Sequence, residues 1–308
     1  MSDILCIVDG MTDSSFSAES LPNLSKMKII KGIDTTCGMP PESLGCIMHI
    51  LGVKDVPQNL RGYAEALGYN IPVQADDLVL RGSWFAVDKN GLCTKPVLAP
   101  QTINGSEKCR YYPLEQYKSL LILPDMAHLA STMQTFPPYS CAGVNAHKLC
   151  PKGCPELEKI FNNQLESGLC LVPWGQSAAA EIEKFSKKSA VICGTPIVKG
   201  IAKLLGMDLI NLKGATGDTD TDLEEKTKCT LNAAESYPFV LLHINGADEA
   251  AHRLDKNEKT KFIKQIDTVV LSQLINSKHN IYVMADHGTN PKNGRHTNEI
   301  QPVYAIKK

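Results

Sequence analysis

Two short pieces near the C-terminus of this 308-residue chain concentrate side chains that bind divalent cations. DEAAH (248–252) supplies Asp248 and His252, and ADHGTNPKNGRH (285–296) supplies Asp286, His287 and His296. Mixed carboxylate and imidazole donors suit Mn²⁺, Zn²⁺ or Fe²⁺ better than Ca²⁺, which prefers all-oxygen shells. Five donors are too many for one four-coordinate zinc and fit part of a two-metal site. Metal pairs of that kind act on phosphate esters and related oxyanions.

These donors follow strand-like apolar runs. FVLLHI (239–244) precedes DEAAH, IYVMA (281–285) runs into Asp286-His287, and ILCIV (4–8) ends in Asp9-Gly10. In an open α/β sheet, ligands gather outside the C-terminal ends of the strands, where such residues converge. Asp248 and His252 are four apart, so a helical turn places them on one face. His296 is expected in a polar loop, GRHTNE, closing over the same edge.

Ser43 belongs to MPPESLGCIMHILG. Two prolines stop preceding structure and an apolar helical run follows, which places Ser43 at a helix N-cap or first turn. Capping is one use for it. The other is nucleophilic: a serine deprotonated beside a metal attacks phosphorus, and a helix N-terminus holds the phosphate. GATGDTDTDLEEK (214–226) matches neither a Walker A loop nor the dinucleotide fingerprint. It also lacks the central glycine and twelfth-position glutamate of an EF-hand.

The elements that must position these residues alternate. SAVIC (189–193) precedes TPIVKGIAKLLGM, 255–275 has helical periodicity, and PVYAI (302–306) closes the chain. The pattern predicts an α/β domain with a mainly parallel sheet. The middle lacks that rhythm: ADDLVLRGSWFAVDKNGLCTK reads as a hairpin, followed by KSLLIL and a loop rich in Pro, Ser and Cys. The expected division is a core of 1–60 and 166–308 with a smaller α+β domain, 61–165, inserted through linkers near 55–62 and 160–172.

Composition sets the remaining bounds. A chain 43% hydrophobic and 21% charged, with net charge -1, is an ordinary globular protein of one large domain or two smaller ones. No basic excess exists to bind nucleic acid or an anionic membrane. MSDILCIVDGMTD reads as a first strand and not a signal peptide, and no run approaches the roughly 18 apolar residues of a membrane span. A cytoplasmic location is expected. The eleven cysteines are scattered, which predicts reduced structural thiols. Cys150 and Cys154 in CPKGC lack the second pair of a zinc ribbon.

With these residues assembled, the chain resembles the archaeal-type cofactor-independent phosphoglycerate mutases of the alkaline phosphatase superfamily. The similarity rests on IVDGMTD, LPNL, PPESLGCIMHILG, LRGYAEALG, WGQS, VKGIAKLLGMD, GATGDTDTDLEEK, DEAAH and ADH…RHT…PV, in that order. The resemblance implies an alkaline-phosphatase-like core and a substrate-binding cap. It implies two divalent ions, Mn²⁺ or Zn²⁺, one on Asp9, Ser43, Asp286 and His287, the other on Asp248, His252 and His296. Ser43 is then the nucleophile that is phosphorylated and returns the phosphoryl group to another hydroxyl of the same small phosphorylated metabolite, as in 3-phosphoglycerate to 2-phosphoglycerate. Arg61, Arg81 and Lys199 match basic residues that bind substrate.

The departures lie in the inserted domain. After Arg81 the family continues into an acidic, arginine-rich stretch, where this chain has DKNGLCTKPVLAPQTINGSEK. Tyr139 replaces the histidine of a PPH motif, and Lys118 stands where arginine is usual. A point charge does not replace a bidentate fork. Two alternatives therefore stand beside the mutase: a metal-dependent phosphomonoesterase or phosphotransferase acting on another small metabolite, and a non-catalytic metabolite-binding member.

Overall fold

The structure, a computed structural model, describes residues 1–105, 107–138 and 141–308; Tyr139 lies outside the described residues. The chain folds as two units, Met1–Val56 with Ile182–Lys308, and Pro57–Glu181.

The first unit begins with strand β1 (Asp3–Val8), strand β2 (Lys28–Ile33) and helix α1 (Ser43–Ile50). The second holds α2 (Arg61–Gly68), β3 (Leu78–Val87), β4 (Cys93–Pro96), β5 (Arg110–Pro113), β6 (Lys118–Leu123), α3 (Pro155–Glu166) and β7 (Leu169–Ser177). The chain then returns to the first unit through β8 (Ser189–Ile192), α4 (Pro196–Leu204), β9 (Asp208–Leu209), α5 (Leu223–Ala234) and β10 (Phe239–Ile244). It finishes with α6 (Gly246–His252), α7 (Lys256–Gln265), β11 (Asn280–Met284), β12 (Gly288–Asn290), β13 (Arg295–Thr297) and β14 (Gln301–Ile306).

In the core unit the sheet order is β2-β14-β11-β1-β10-β8-β9. Strands β11, β1, β10, β8 and β9 are parallel, and β14 and β2 are antiparallel additions at one side. The parallel strands read as unbroken apolar runs because both faces are covered. Helices α5 and α7 cover one face, with Leu223, Ala233, Phe262 and Ile263 packed on Ile4, Cys6, Val240, Leu242 and Val283. The register matters most for the site. Val8 pairs with Ile244 and Ile7 with Met284, so β1, β10 and β11 end side by side. The residues that follow those strands are delivered to one edge.

Two local readings change, and one strand was not anticipated. The helix expected over 255–275 is not uniform: it widens to a π-helix over Ile266–Leu271, where buried Asp267 accepts the N–H of Leu24 at 2.8 Å. His296 is not in a free loop but in β13, which pairs with β12 so that Thr289 faces His296. Strand β2 had no local signal, because its residues are exposed along almost their whole length.

The inserted unit is an antiparallel sheet built on β3. Strand β6 and hairpin partner β4 pair with β3, β7 also pairs with it, and β5 pairs with β6. Alternation along β3 sends Leu78, Leu80 and Trp84 to the α3 side and Val79 to the α2 side. The C-terminal boundary therefore differs from the expected 166. Strand β7 pairs with β3 from Val79–Ser177 to Ala86–Leu169, so it belongs to the insertion and the chain re-enters the core only after Glu181. All eleven cysteines are free thiols, and no helix among the described residues is long and apolar enough to cross a membrane.

Candidate metal centre

Asp9 is the first residue after β1, and its N–H donates to Ile244 O at 2.9 Å, which ties it to the end of β10. Gly10 turns the chain away with φ +63°. A Cβ there would lie 2.7 Å from Thr289 Oγ1 and 2.8 Å from Asp248 Cα, so the glycine lets three segments close on one point. Asp248 sits in the first turn of α6, and His252 one turn later at its end. Asp286 and His287 follow β11, and His296 comes from β13.

Three overlapping donor clusters result. At the outer end, His252 Nε2 is 3.2 Å from Asp248 Oδ2, His296 Nε2 is 3.4 Å from Asp248 Oδ1, and the two Nε2 atoms are 3.0 Å apart. In the middle, the donor atoms of Asp9, Asp248 and His287 lie within 4.8 Å of one another. Innermost are Asp9, Asp286 and His243, within the same limit. Ser43, the first residue of α1, places Oγ 3.2 Å from Asp9 Oδ2 and 3.2 Å from His287 Nε2.

The electrostatics divide along the same line. Burial pushes the Asp9 carboxyl well above its usual range, and the charges of Asp286 and Asp248 add to this. Burial pulls His287 down and takes His243 to about 4. Asp248 goes the other way: burial opposes ionisation, but hydrogen bonds to His252 and His296 hold it well below the usual carboxylate range. Burial likewise works against protonating His252 and His296, yet the bond each makes to Asp248 raises both.

The residues fit divalent cations. A tetrahedral ion with bonds of about 2.0–2.2 Å separates its donor atoms by roughly 3.3–3.5 Å, close to the spacings around Asp248. Asp9 Oδ1, Asp286 Oδ2 and both ring nitrogens of His243 are buried without a hydrogen-bond partner among the described residues. Unpaired buried carboxylates at such distances are costly, and a cation between them reverses the sign of the interaction.

The supporting contacts are equally specific. Thr289 Oγ1 donates to Asp248 Oδ1 at 2.6 Å and lies 3.4 Å from His287 Nδ1, so one hydroxyl touches a donor of each half. Lys259 fixes that threonine by donating to its carbonyl at 2.7 Å and to Asp13 at 2.7 Å. His296 Nδ1 is 2.6 Å from Pro41 O, which couples it to the turn before Ser43.

All seven expected donors thus meet at one sheet edge. They do not separate into two clean groups, because Asp9 is shared by two clusters and His287 groups with Asp9 and Asp248. Of the basic residues, Lys199 lies half-buried on α4, which packs against α1. Arg61 and Arg81 come together within the inserted unit: both pair with the buried carboxylate of Glu65, and both lie over Trp174, at 5.1 and 6.0 Å from its ring centroid. Burial alone would raise Glu65, but Arg81 and then Arg61 hold it below its usual range. Lys118 opens β6 and faces Glu115 at 3.5 Å. Sequence reasoning passed over His243, Thr289, Glu65 and Trp174.

The model of the metalloenzyme superfamily matches residues 4–308. Among curated relatives, a 2,3-bisphosphoglycerate-independent phosphoglycerate mutase of Archaeoglobus fulgidus is 39% identical over 361 positions, covering 98% of this chain and 88% of its own. The chain belongs to this family of metalloenzymes, with the archaeal-type cofactor-independent phosphoglycerate mutases. The corresponding mutase of Methanothermobacter thermautotrophicus is 27% identical over 363 positions, with coverage of 98% and 88%. These alignments are longer than the chain itself, so the mutases carry positions with no counterpart here. In fold, the chain is similar to a Pyrococcus horikoshii protein (TM-score 0.73, 20% identity, 99% of this chain and 87% of that one). It is also similar to the cofactor-independent phosphoglycerate mutase of Thermoplasma acidophilum (TM-score 0.57, 17% identity, 100% and 90%). As a member of this metalloenzyme family the chain is an enzyme.

Proposed function

We propose that this metalloenzyme moves a phosphoryl group through Ser43 and converts 3-phosphoglycerate to 2-phosphoglycerate. The observation that carries the reading is the position of Ser43 Oγ, 3.2 Å from both Asp9 and His287 at the first residue of α1. A hydroxyl there attacks phosphorus in line; the bond from phosphorus to the substrate oxygen breaks, and the phosphoryl group rests on Ser43. The N–H groups of the first turn of α1 have no partner within the helix and suit an anion such as that phosphate. In the second half the other hydroxyl of the same molecule attacks, and Ser43 leaves. Two divalent ions, Mn²⁺ or Zn²⁺, held by Asp9, Asp286 and His287 and by Asp248, His252 and His296, would lower the serine pKa and offset phosphate charge.

Arg61 and Arg81 are assigned to the substrate's anionic groups, with Lys199 from the core. The Glu65 carboxylate lies between the two guanidiniums and orients them, and Trp174 lies against both. A second reading ends in water, as a phosphomonoesterase or other phosphotransferase on a small phosphorylated metabolite. It is favoured by the positions that the mutases have and this chain lacks.

The test is incubation of Mn²⁺-loaded protein with 3-phosphoglycerate, followed by ³¹P NMR. Accumulation of 2-phosphoglycerate supports the mutase; inorganic phosphate without it overturns the mutase in favour of the hydrolase. Ser43→Ala should abolish either reaction, and turnover that survives this change removes Ser43 from its role.

A further inference from the structure

His243 is the penultimate residue of β10, beside Ile7 of β1 in the middle of the sheet. It is fully buried. An imidazole in that position normally satisfies at least one nitrogen, since an unpaired buried polar group costs roughly 1–3 kcal/mol. Neither nitrogen of His243 has a hydrogen-bond partner among the described residues. Its Nε2 points toward Asp9 Oδ2 at 3.3 Å, and the donor atoms of Asp9, His243 and Asp286 lie within 4.8 Å of one another. Asp9 Oδ1 and Asp286 Oδ2 are orphaned as well. Three unsatisfied groups, two of them carboxylates and one an imidazole, therefore face a common point.

The backbone holds the ring there. Lys226 Nζ donates to His243 O at 3.3 Å and to Thr216 O at 3.3 Å, pinning the strand end to the loop before α5.

We propose that His243 is a ligand of the divalent ion held by Asp9 and Asp286, an eighth donor beyond the seven read from the sequence. Asp9 Oδ2 faces Ser43 and His243, and its Oδ1 faces His287, so the carboxylate would be shared among all three. Carboxylate–imidazole–carboxylate donors favour Mn²⁺, Zn²⁺ or Fe²⁺ over Ca²⁺. The inference rests on the metal-centre reading above but not on the identity of the substrate.

The experiment reads ligation directly. In a background in which His252 and His296 are both changed to Ala, the protein is loaded with Mn²⁺, and electron spin-echo modulation records nitrogen bound to the ion. His243→Leu should weaken Mn²⁺ binding by roughly tenfold or more and remove part of the nitrogen modulation, leaving that of His287; His243→Asn, which keeps a donor, should recover affinity without recovering the lost imidazole share. Unchanged affinity and modulation in His243→Leu would overturn the assignment. Weakened affinity with the imidazole modulation undiminished from that of the parent would also overturn it, making His243 a positioning residue for Asp9. Because no turnover is measured, failure of the mutase reading leaves this outcome unaffected. If His243→Leu does not fold, His243→Asn alone still decides by its nitrogen signal.

Discussion

The two units of this chain bury charge in different company: carboxylates crowd together at the metal centre, whereas in the insertion a carboxylate is shared by arginines. In the core, Asp9, Asp248 and Asp286 crowd at the strand ends, and two of their oxygens have no hydrogen-bond partner among the described residues. In the insertion, the buried carboxylate of Glu65 sits between two arginines. Crowded carboxylates without partners suit the divalent cations of a metalloenzyme, whereas a carboxylate between guanidiniums is neutralised within the unit itself. The contrast teaches that the buried carboxylates left without partners in the core state the charge of what that unit binds.

Removing the metal is the largest way to break this comparison. Chelation should abolish turnover, and Mn²⁺ or Zn²⁺ should restore it. An ion present at 100- to 1,000-fold over its dissociation constant stabilises the folded state by about 3–4 kcal/mol, so the metal-free core should melt several degrees lower. Both tryptophans of the chain, Trp84 and Trp174, lie in the inserted unit. Their fluorescence should shift less than the overall calorimetric transition. Equal shifts would mean that the two units do not store charge independently.

The converse test is made in the insertion. Glu65→Ala leaves Arg81, which is almost fully buried, without its carboxylate. Removing one partner of a buried pair costs about 3–5 kcal/mol, and tryptophan fluorescence during urea unfolding will read it. Metal stoichiometry should stay unchanged. Loss of metal binding in this variant would show that the separation drawn between the units is wrong.

How much of this could be read from the sequence follows the same division. Donors just beyond β1, β10 and β11 were visible, because a doubly covered parallel strand is an apolar run with an abrupt polar end. His243 was hidden by the same pattern: inside FVLLHI it reads as one more buried position, and only its place one residue before the strand end marked it. Thr289 and Glu65 act through the residues they touch, and no spacing rule reveals a partner that arrives from another segment. The C-terminal boundary was misplaced because β7 pairs with β3, a non-local contact that composition does not carry. Strand β2, exposed along its length, had no hydrophobic alternation to announce it.

A smaller effect sharpens the contrast within the core. Thr289→Val keeps shape but removes the hydroxyl that joins Asp248 to His287. Losing such an outer partner costs roughly ten- to a hundredfold in metal affinity. Isothermal titration should assign the loss to the Asp248 end, and Thr289→Ser should restore it. A Thr289→Ser variant as weak as Thr289→Val would mean that packing of the methyl group matters, not the hydrogen bond.

The smallest effect separates the outer cluster from the inner one by pH. In metal-free protein, Asp248 raises His252 and His296 above the unfolded value of 6.5. A raised folded value means that the native state binds more protons than the unfolded one above that point. The stabilisation from these two imidazolium contacts is therefore complete below pH 6.5 and lost as pH rises through their folded values. Asp248, held low, keeps its part down to more acidic pH. A metal requires both rings neutral, so it competes with those protons and its affinity at this end should rise with pH over the same window. His243 and His287, pulled down by burial, impose no such competition. Melting of the metal-free protein between pH 6 and 8, compared with His252→Ala and His296→Ala, measures this. A melting temperature of the unsubstituted protein that stays flat across the window would show that Asp248 does not hold the protons on these rings, and the electrical distinction between the two ends of the site would fall with it.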